Sequence, residues 1–175
     1  MTQLMTKRLT LIACPRALAE VSGNGRHHIE GLLGGGMTID AKWLEEDGRG
    51  LLSYYAYQLR EDPDMVGWGM WLIVVTAEQL VIGSAGYKGR PDKRGSIEIG
   101  YGISPHYRRQ GYTFEAVTGL IRWAFEQPPV KRVNAECLPE NQGSKRILEK
   151  LGMTNLGMQG MYLKWALEKH ADSPA

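Results

Sequence analysis

The sequence has almost no charge of either sign to spare. Lys and Arg number 21 and Asp and Glu 19, a formal net charge of +2 over 175 residues. So small an excess weighs against a protein held by charge to nucleic acid or to a membrane surface, although a local basic patch is compatible with it. Long apolar stretches are missing too: uncharged runs such as Met65 to Ala77 fall short of the roughly 20 residues that span a bilayer. The apolar opening from Leu9 to Ala13 is cut short by Pro15 and Arg16 and has no small-residue cleavage site. The expectation is a cytoplasmic protein with neither a membrane nor a nucleic-acid partner. Cysteine is scarce, and Cys14 and Cys137 cannot make a disulfide framework, so two reduced thiols are expected. The 4 histidines, with His27 and His28 adjacent, fit no zinc spacing, and no metal is expected.

What the chain does have is apolar mass and glycine. Hydrophobic residues make up 43% of it, enough for a sizeable core, and its length suits a single domain over residues 1–175. Glycine accounts for 22 residues, about 13% against a usual ~7%, without the periodicity of collagen or the clustering of a linker. Alternation of Leu9 and Leu11 with Arg8 and Thr10 predicts a first strand over Thr6–Ile12. Residues 15–36 read as loop with short helices, and Ala41–Glu46 and Leu51–Arg60 as two further helices before a turn at Asp62-Pro63-Asp64.

From Gly69 onward the pattern sharpens. Met70–Thr76, Leu80–Tyr87 and Ser96–Ile103 read as three strands joined by short turns, an antiparallel meander. In the third, Ile97, Ile99, Tyr101 and Ile103 share one face, and Glu98, Gly100 and Gly102 the other. Val117, Leu120, Ile121, Ala124 and Phe125 form one apolar stripe of a helix that Pro128-Pro129 ends. Val133–Leu138 then returns as a strand, and a crossover of this kind makes the two flanking strands parallel. Asn141 is a predicted N-cap for a helix packing through Ile147, Leu148 and Leu151 and stopped by Gly152. Thr154–Leu167 holds one or two closing strands. The predicted class is α+β: a mixed, mostly antiparallel sheet with helices on both faces.

The segment with most chemical content is Arg108-Arg109-Gln110-Gly111-Tyr112-Thr113, between a strand end and a helix start. Unpaired N–H groups and the positive dipole end favour phosphate there, Gly111 permits close approach, and Arg108 and Arg109 add charge. An ordinary strand-to-helix turn with exposed arginines fits the same residues. No Gly-Lys-Ser or Gly-Lys-Thr follows, and the other glycines of a dinucleotide fingerprint are missing. His106, Tyr107 and Tyr112 interleave with the arginines as in a nucleic-acid patch, which the near-neutral charge opposes.

With its surroundings the segment resembles the central motif of the GNAT superfamily of acetyltransferases. The pattern Arg/Gln-x-x-Gly-x-Gly/Ala is met by Arg108 and Gly111 and, imperfectly, by Thr113. It lies between Gly100-Tyr101-Gly102-Ile103-Ser104-Pro105 and Glu115-Ala116. Pro139-Glu140-Asn141, Ser144 and Glu149-Lys150-Leu151-Gly152-Met153 resemble the second conserved segment. The opening Thr6-Lys7-Arg8-Leu9-Thr10-Leu11 is similar to that of the ribosomal-protein N-terminal acetyltransferase branch. The resemblance is specific over residues 68–157. It implies the GNAT fold, with acetyl-CoA in a cleft where two parallel strands, ending at Ile103 and Leu138, splay apart. The 68–157 core would bind acetyl-CoA, residues 6–65 would form the acceptor side, and 158–175 a closing strand and tail.

By that resemblance the pantetheine arm pairs with the backbone of Tyr101, Gly102 and Ile103. The pyrophosphate rests on the N–H groups of Arg109, Gln110, Gly111, Tyr112 and Thr113 beside Arg108. Asn141 contacts the pantetheine and Ser144 faces the thioester sulfur. Direct attack by a neutral amine then needs a proton acceptor and alignment, but neither a metal nor a covalent intermediate. Glu98 is the candidate base, a sheet-surface carboxylate paired with an arginine being the other reading, and Glu136 the next candidate. The tyrosine acid of many relatives is replaced by Leu148, which leaves Ser144 as candidate acid or as a serine bonding its own helix. Thr113 departs from the Gly/Ala of the pattern and either crowds the pyrophosphate or donates a hydrogen bond to it. Phe114 would pack under the adenine side.

The acceptor is expected to be a protein N-terminus or a small amine, and the protein a monomer or homodimer. A CoA-binding module without efficient turnover is the alternative. Trp43, Tyr54, Tyr55, Tyr57, Trp68 and Trp71 line an acceptor pocket or belong to the core, and the acids Glu45, Glu46, Asp47, Glu61, Asp62 and Asp64 form no cluster for a polycation.

Overall fold

The computed structural model describes residues 2–169. Their strands form one nine-stranded sheet whose path runs β1-β2-β4-β5-β6-β7-β9-β8, with β3 pairing β5 off that path. The strands are β1 (Gln3–Met5), β2 (Leu9–Ala13), β3 (Thr38–Ile39), β4 (Met70–Val75), β5 (Leu80–Tyr87), β6 (Ser96–Ile103), β7 (Arg132–Cys137), β8 (Thr154–Gln159) and β9 (Tyr162–Glu168). The helices α1 (Arg16–Glu20), α2 (Arg26–Leu33), α3 (Ala41–Trp43) and α4 (Arg49–Glu61) precede β4, and α5 (Tyr112–Glu126) and α6 (Gln142–Lys150) flank β7.

The sheet has helices on both faces, and the apolar pattern of β4 shows why. All six of its residues are buried, because Trp71, Ile73 and Val75 pack towards the α5 core while Leu72 and Val74 join the second core with α1–α4. A strand covered on both sides reads as a continuous apolar run. In β6 only one face is greasy: Ile97, Ile99 and Ile103 enter the α5 core, which puts Glu98, Gly100 and Gly102 on the other face.

The predicted meander, the α5 and α6 helices, the returning strand and the closing strands are all present, the closing segment as the β8–β9 hairpin. Several details differ: the strand read to Thr76 ends at Val75, and the one read over Val133–Leu138 spans Arg132–Cys137. The first strand does not start at Thr6, because Thr6 N–H donates to Leu9 O at 2.9 Å and Thr6–Arg8 forms the turn of a β1–β2 hairpin. The two helices expected over 41–60 form one continuous run, α3 passing through a π-helical turn at Leu44–Gly48 into α4. Gly48 does not break the run, because Trp43 packs against it: a Cβ there would lie 3.2 Å from that ring. The parallel pair β3–β5 had no sequence signal, being two residues long. Of the 158–175 segment, residues 170–175 lie outside the described part.

Both cysteines are free and buried. No helix among the described residues is long and apolar enough to cross a membrane.

Between β4 and β5 the register shifts at Ile73/Val74, a bulge that brings Gly83 against β6. A Cβ on Gly83 would lie 2.4 Å from Gly102 O and 2.8 Å from Ile103 Cα, both backbone atoms. Gly83→Ala should therefore push β6 outward and cost about 1–3 kcal/mol, read as a lower Tm by circular dichroism. An unchanged Tm would show that the bulge absorbs the methyl group.

Candidate active site

The sheet is weakest at its middle. β6 and β7 run parallel and pair only at Ser96↔Arg132, Ile97↔Val133 and Glu98↔Asn134. Beyond Glu98, β6 stays paired with β5 through Ile103, and β7 with β9 through Cys137. The two strands therefore part over residues 99–103 and 135–137, the separation expected between the strands ending at Ile103 and Leu138. A Cβ on Gly100 or Gly102 would meet nothing within 4 Å, so the backbone there borders open space. Tyr101 and Gly102 are half-buried and Ile103 is buried at the end of the strand.

Beside this opening the chain enters α5. Arg109, a non-glycine residue at φ 61°, and Gly111 at φ 82° are both left-handed. Such a turn collects backbone N–H groups into an anion-binding concavity. The first helical hydrogen bond runs from Glu115 N–H to Gly111 O at 3.0 Å, so the N–H groups of Tyr112 and Thr113 stand ahead of it at the positive end of α5. Arg108, Arg109 and Gln110 are exposed, and Tyr112 and Thr113 half-buried.

The loop is braced by the far end of the chain. Arg8 Nη1 donates to Gln110 O at 2.9 Å, Arg8 Nε to Glu115 Oε2 at 2.7 Å, and Arg8 N–H to Glu115 Oε1 at 2.6 Å. Thr6 Oγ1 donates to Glu115 Oε1 at 2.7 Å, and the Arg8 guanidinium lies 4.3 Å from the Tyr112 ring centroid. Burial pushes the Glu115 carboxyl up, but the hydrogen bonds from Thr6 and Arg8 and the Arg8 charge pull it further down, to a net position below its ordinary value. Sequence reasoning quoted Arg8 as part of an opening motif without seeing this tie, which depends on a contact 107 positions along the chain.

On the face of the opening that carries Glu98, four charges alternate. Lys88, at the end of β5, is in ion-pair contact with Glu98 and donates to Glu136 Oε1 at 2.7 Å. Glu136 also pairs with Lys164 of β9. Glu98 thus has a cationic partner as its bland reading foresaw, but a lysine rather than an arginine. Hydrogen bonds from Lys164 and Lys88 hold the Glu136 carboxyl below its usual range. Burial favours deprotonating Lys88, yet the bonds and charges of Glu136 and Glu98 outweigh it, and its pKa is raised. Lys88 went unnoticed in the sequence, although the hairpin pattern of Leu80–Tyr87 and Ser96–Ile103 sets it opposite Glu98, whose carbonyl accepts from Lys88 N–H at 2.9 Å.

The opposite face carries Tyr101, whose phenol burial pushes up to about 12. Asn141 caps α6 as predicted, its Oδ1 accepting from Ser144 N–H at 3.0 Å. Leu148 is fully buried. Phe114 has Lys150 Nζ 4.3 Å from its ring centroid. Over the Glu98 face lies a cleft of about 520 Å³ whose lining includes Tyr54, Gln58, Ser84, Lys88, Gly100 and Gly102. Of the six aromatics singled out, Trp43, Tyr55 and Trp71 are core residues, Trp68 is partly buried, and Tyr54 and Tyr57 are exposed on α4. Among the described residues no group of three or more His, Cys, Asp or Glu could hold a metal ion.

A sheet that opens beside a helix start rich in free N–H groups defines a class of acyltransferase, and comparison with known proteins gives the family. Residues 40–154 match the acetyltransferase (GNAT) domain. The N-acetyltransferase YjdG of Bacillus subtilis (strain 168) is 32% identical over 165 residues, 94% of this chain and 97% of that protein. The [ribosomal protein uS5]-alanine N-acetyltransferase of Escherichia coli (strain K12) is 32% identical over 89 residues, 49% of this chain and 45% of that one. The crystal structure of the ribosomal-protein-S5-alanine acetyltransferase of Vibrio fischeri shares the fold, with TM-score 0.67 over 99% of this chain and all of that one at 17% identity. The chain belongs to the GNAT family of acetyltransferases.

Because Glu115 is depressed in the folded state, its contribution to stability is present above the ordinary glutamate value of about 4.3 and is lost as pH falls through the lower folded value. The Tm gap between the native protein and Glu115→Gln should accordingly narrow as the pH is taken from about 6 to 3. A gap that stays constant would mean that the carboxylate's charge plays no part in the brace.

Proposed function

We propose that the protein transfers an acetyl group from acetyl-CoA to a primary amine, a protein N-terminus or a small amine, by direct attack on the thioester. The observation that carries this reading is the parting of β6 and β7 after Glu98↔Asn134 beside the N–H-rich start of α5. Residues 68–157 hold the acetyl-CoA in this proposal and residues 6–65 form the acceptor side, within one domain. The pantetheine amides pair with Tyr101, Gly102 and Ile103 as an added strand would. The pyrophosphate sits on Arg109, Gln110, Gly111, Tyr112 and Thr113 near Arg108, with the Thr113 hydroxyl as one more donor. Asn141 and Ser144 meet the arm and the sulfur.

Glu98 is the base in this reading, because the second candidate, Glu136, is engaged by two lysines that stabilise its charged form. The Ser144 hydroxyl returns a proton to the departing thiolate in this reading. That proton contributes modestly, since a thiol pKa near 8.5 makes CoA a good leaving group. A cleft lined mostly by aromatic and neutral residues, with Asp47 its one acid and Lys88 its one cation, suits an amine carrying a single charge better than a polycation. The activity for which the E. coli relative is named, on an alanine of ribosomal protein uS5, supports a peptide N-terminus as acceptor.

Calorimetric titration with acetyl-CoA should give a dissociation constant near micromolar, worth about −8 kcal/mol. Gly111→Val should abolish binding, since φ 82° strains any L side chain and a Cβ there lies 3.3 Å from Arg8 Nη2. Equal affinity in that variant would remove the loop from the cofactor site. Glu98→Gln should keep the affinity for acetyl-CoA while kcat falls about 10²-fold or more. Full turnover in that variant at neutral pH would pass the role of base to another group.

A further inference from the structure

The ion pairs at the opening place an amine of the protein itself where an acceptor amine is needed. Lys88 Nζ lies between two carboxylates, in contact with Glu98 on β6 and 2.7 Å from Glu136 Oε1 on β7. The last pair joining those strands is Glu98↔Asn134, and Glu136 shares the face of Asn134 two residues further on. The lysine therefore reaches from β5 across β6 to β7 at the mouth of the gap. It can do so because Gly100 presents no side chain in between, and a Cβ there would meet nothing within 4 Å. Lys88 lines the same cleft as Gly100, Tyr101 and Gly102, and its side chain is 54% exposed.

We propose that Lys88 is a self-acetylation site: its amine occupies the acceptor-ammonium position between Glu98 and Glu136 and takes the acetyl group when no external acceptor is present. The proposal rests on the functional reading above, since it needs an acetyl thioester in the opening between β6 and β7. The Lys88 ammonium gives a proton to the Glu98 carboxylate, and the freed nitrogen attacks the thioester carbonyl carbon. A C–N bond forms and the C–S bond breaks with its electron pair on sulfur. The thiolate leaves and is protonated, and the second ammonium proton goes to solvent as the amide forms. The reaction stops after one event per chain, because the amide nitrogen is no longer nucleophilic. It also removes the positive charge that ties Glu98 to Glu136, and Glu98 is then free to hold an incoming ammonium while Glu136 keeps its pair with Lys164.

The test is incubation of the full chain with acetyl-CoA and no acceptor, followed by intact mass and peptide mapping, with calorimetric binding of acetyl-CoA measured alongside. Lys42 is the internal control, an exposed lysine paired at 2.8 Å with Glu46 and outside the cleft lining. Lys88 should gain one acetyl group about 10²-fold faster than Lys42, the scale of general-base assistance. The Lys88→Arg protein should lose that fast event, and Glu98→Gln, with its Tm checked, should slow it by a similar factor. Binding of acetyl-CoA with Lys88 modified no faster than Lys42 overturns the proposal and leaves the functional reading standing. Failure to bind acetyl-CoA overturns both.

Discussion

Parallel strands β6 and β7 are held together by three residue pairs, and most of what distinguishes this molecule depends on that shortage. Over the gap each strand is paired on its outer side, β6 with β5 from Ile99 to Ile103 and β7 with β9 along its whole length, so neither needs the other to stay extended there. Their inner edges can therefore diverge while the cores beneath stay closed. Backbone N–H and C=O groups along a gap are costly when buried without partners, which makes such an edge a strong acceptor of an extended polar chain. The glycines at 100 and 102 keep the Glu98 face of that edge bare, and the isoleucines at 97, 99 and 103 anchor the other face to α5. One strand thus serves as core wall and open shelf at once, because its side chains alternate.

Electrostatics closes what the backbone leaves open. Four charges on four successive strands of the sheet path, Lys88, Glu98, Glu136 and Lys164, run across the gap on one face. Partial exposure keeps these pairs from adding much stability, as the modest worth of solvent-accessible ion pairs implies. The two lysines hold the Glu136 carboxyl below its usual range, whereas Glu98 has the single ion-pair partner Lys88. On the other face stand the uncharged Tyr101 and the isoleucines of β6, so the two sides of the opening differ in charge as well as shape.

The core of this fold was legible because its signals are local. Strand β6 was bounded to the residue by strict alternation, and α5 by an apolar stripe ending at a proline pair. The left-handed glycine at 111 and the cap at Asn141 follow from residue chemistry alone. What escaped were features settled by distant contacts. The hairpin at Thr6–Arg8, the unbroken run through Gly48 and the parallel pair at Thr38–Ile39 each depend on a partner that the local sequence does not announce. The same holds at the site. A single residue such as Glu98 could be named from its neighbours, but its partner Lys88 required two strands to be laid side by side.

The tie between Arg8 and Glu115 carries a consequence for how the molecule comes to exist. A loop that needs a residue 107 positions earlier cannot take its final shape until the N-terminal hairpin has docked against a helix from the second half of the chain. Contacts of such sequence separation are entropically slow to form and raise the contact order of the whole topology. The turn that leads into α5 is therefore expected among the last parts to be completed during folding. Extra residues fused ahead of Gln3 would act at long range, on the geometry of a loop a hundred residues away.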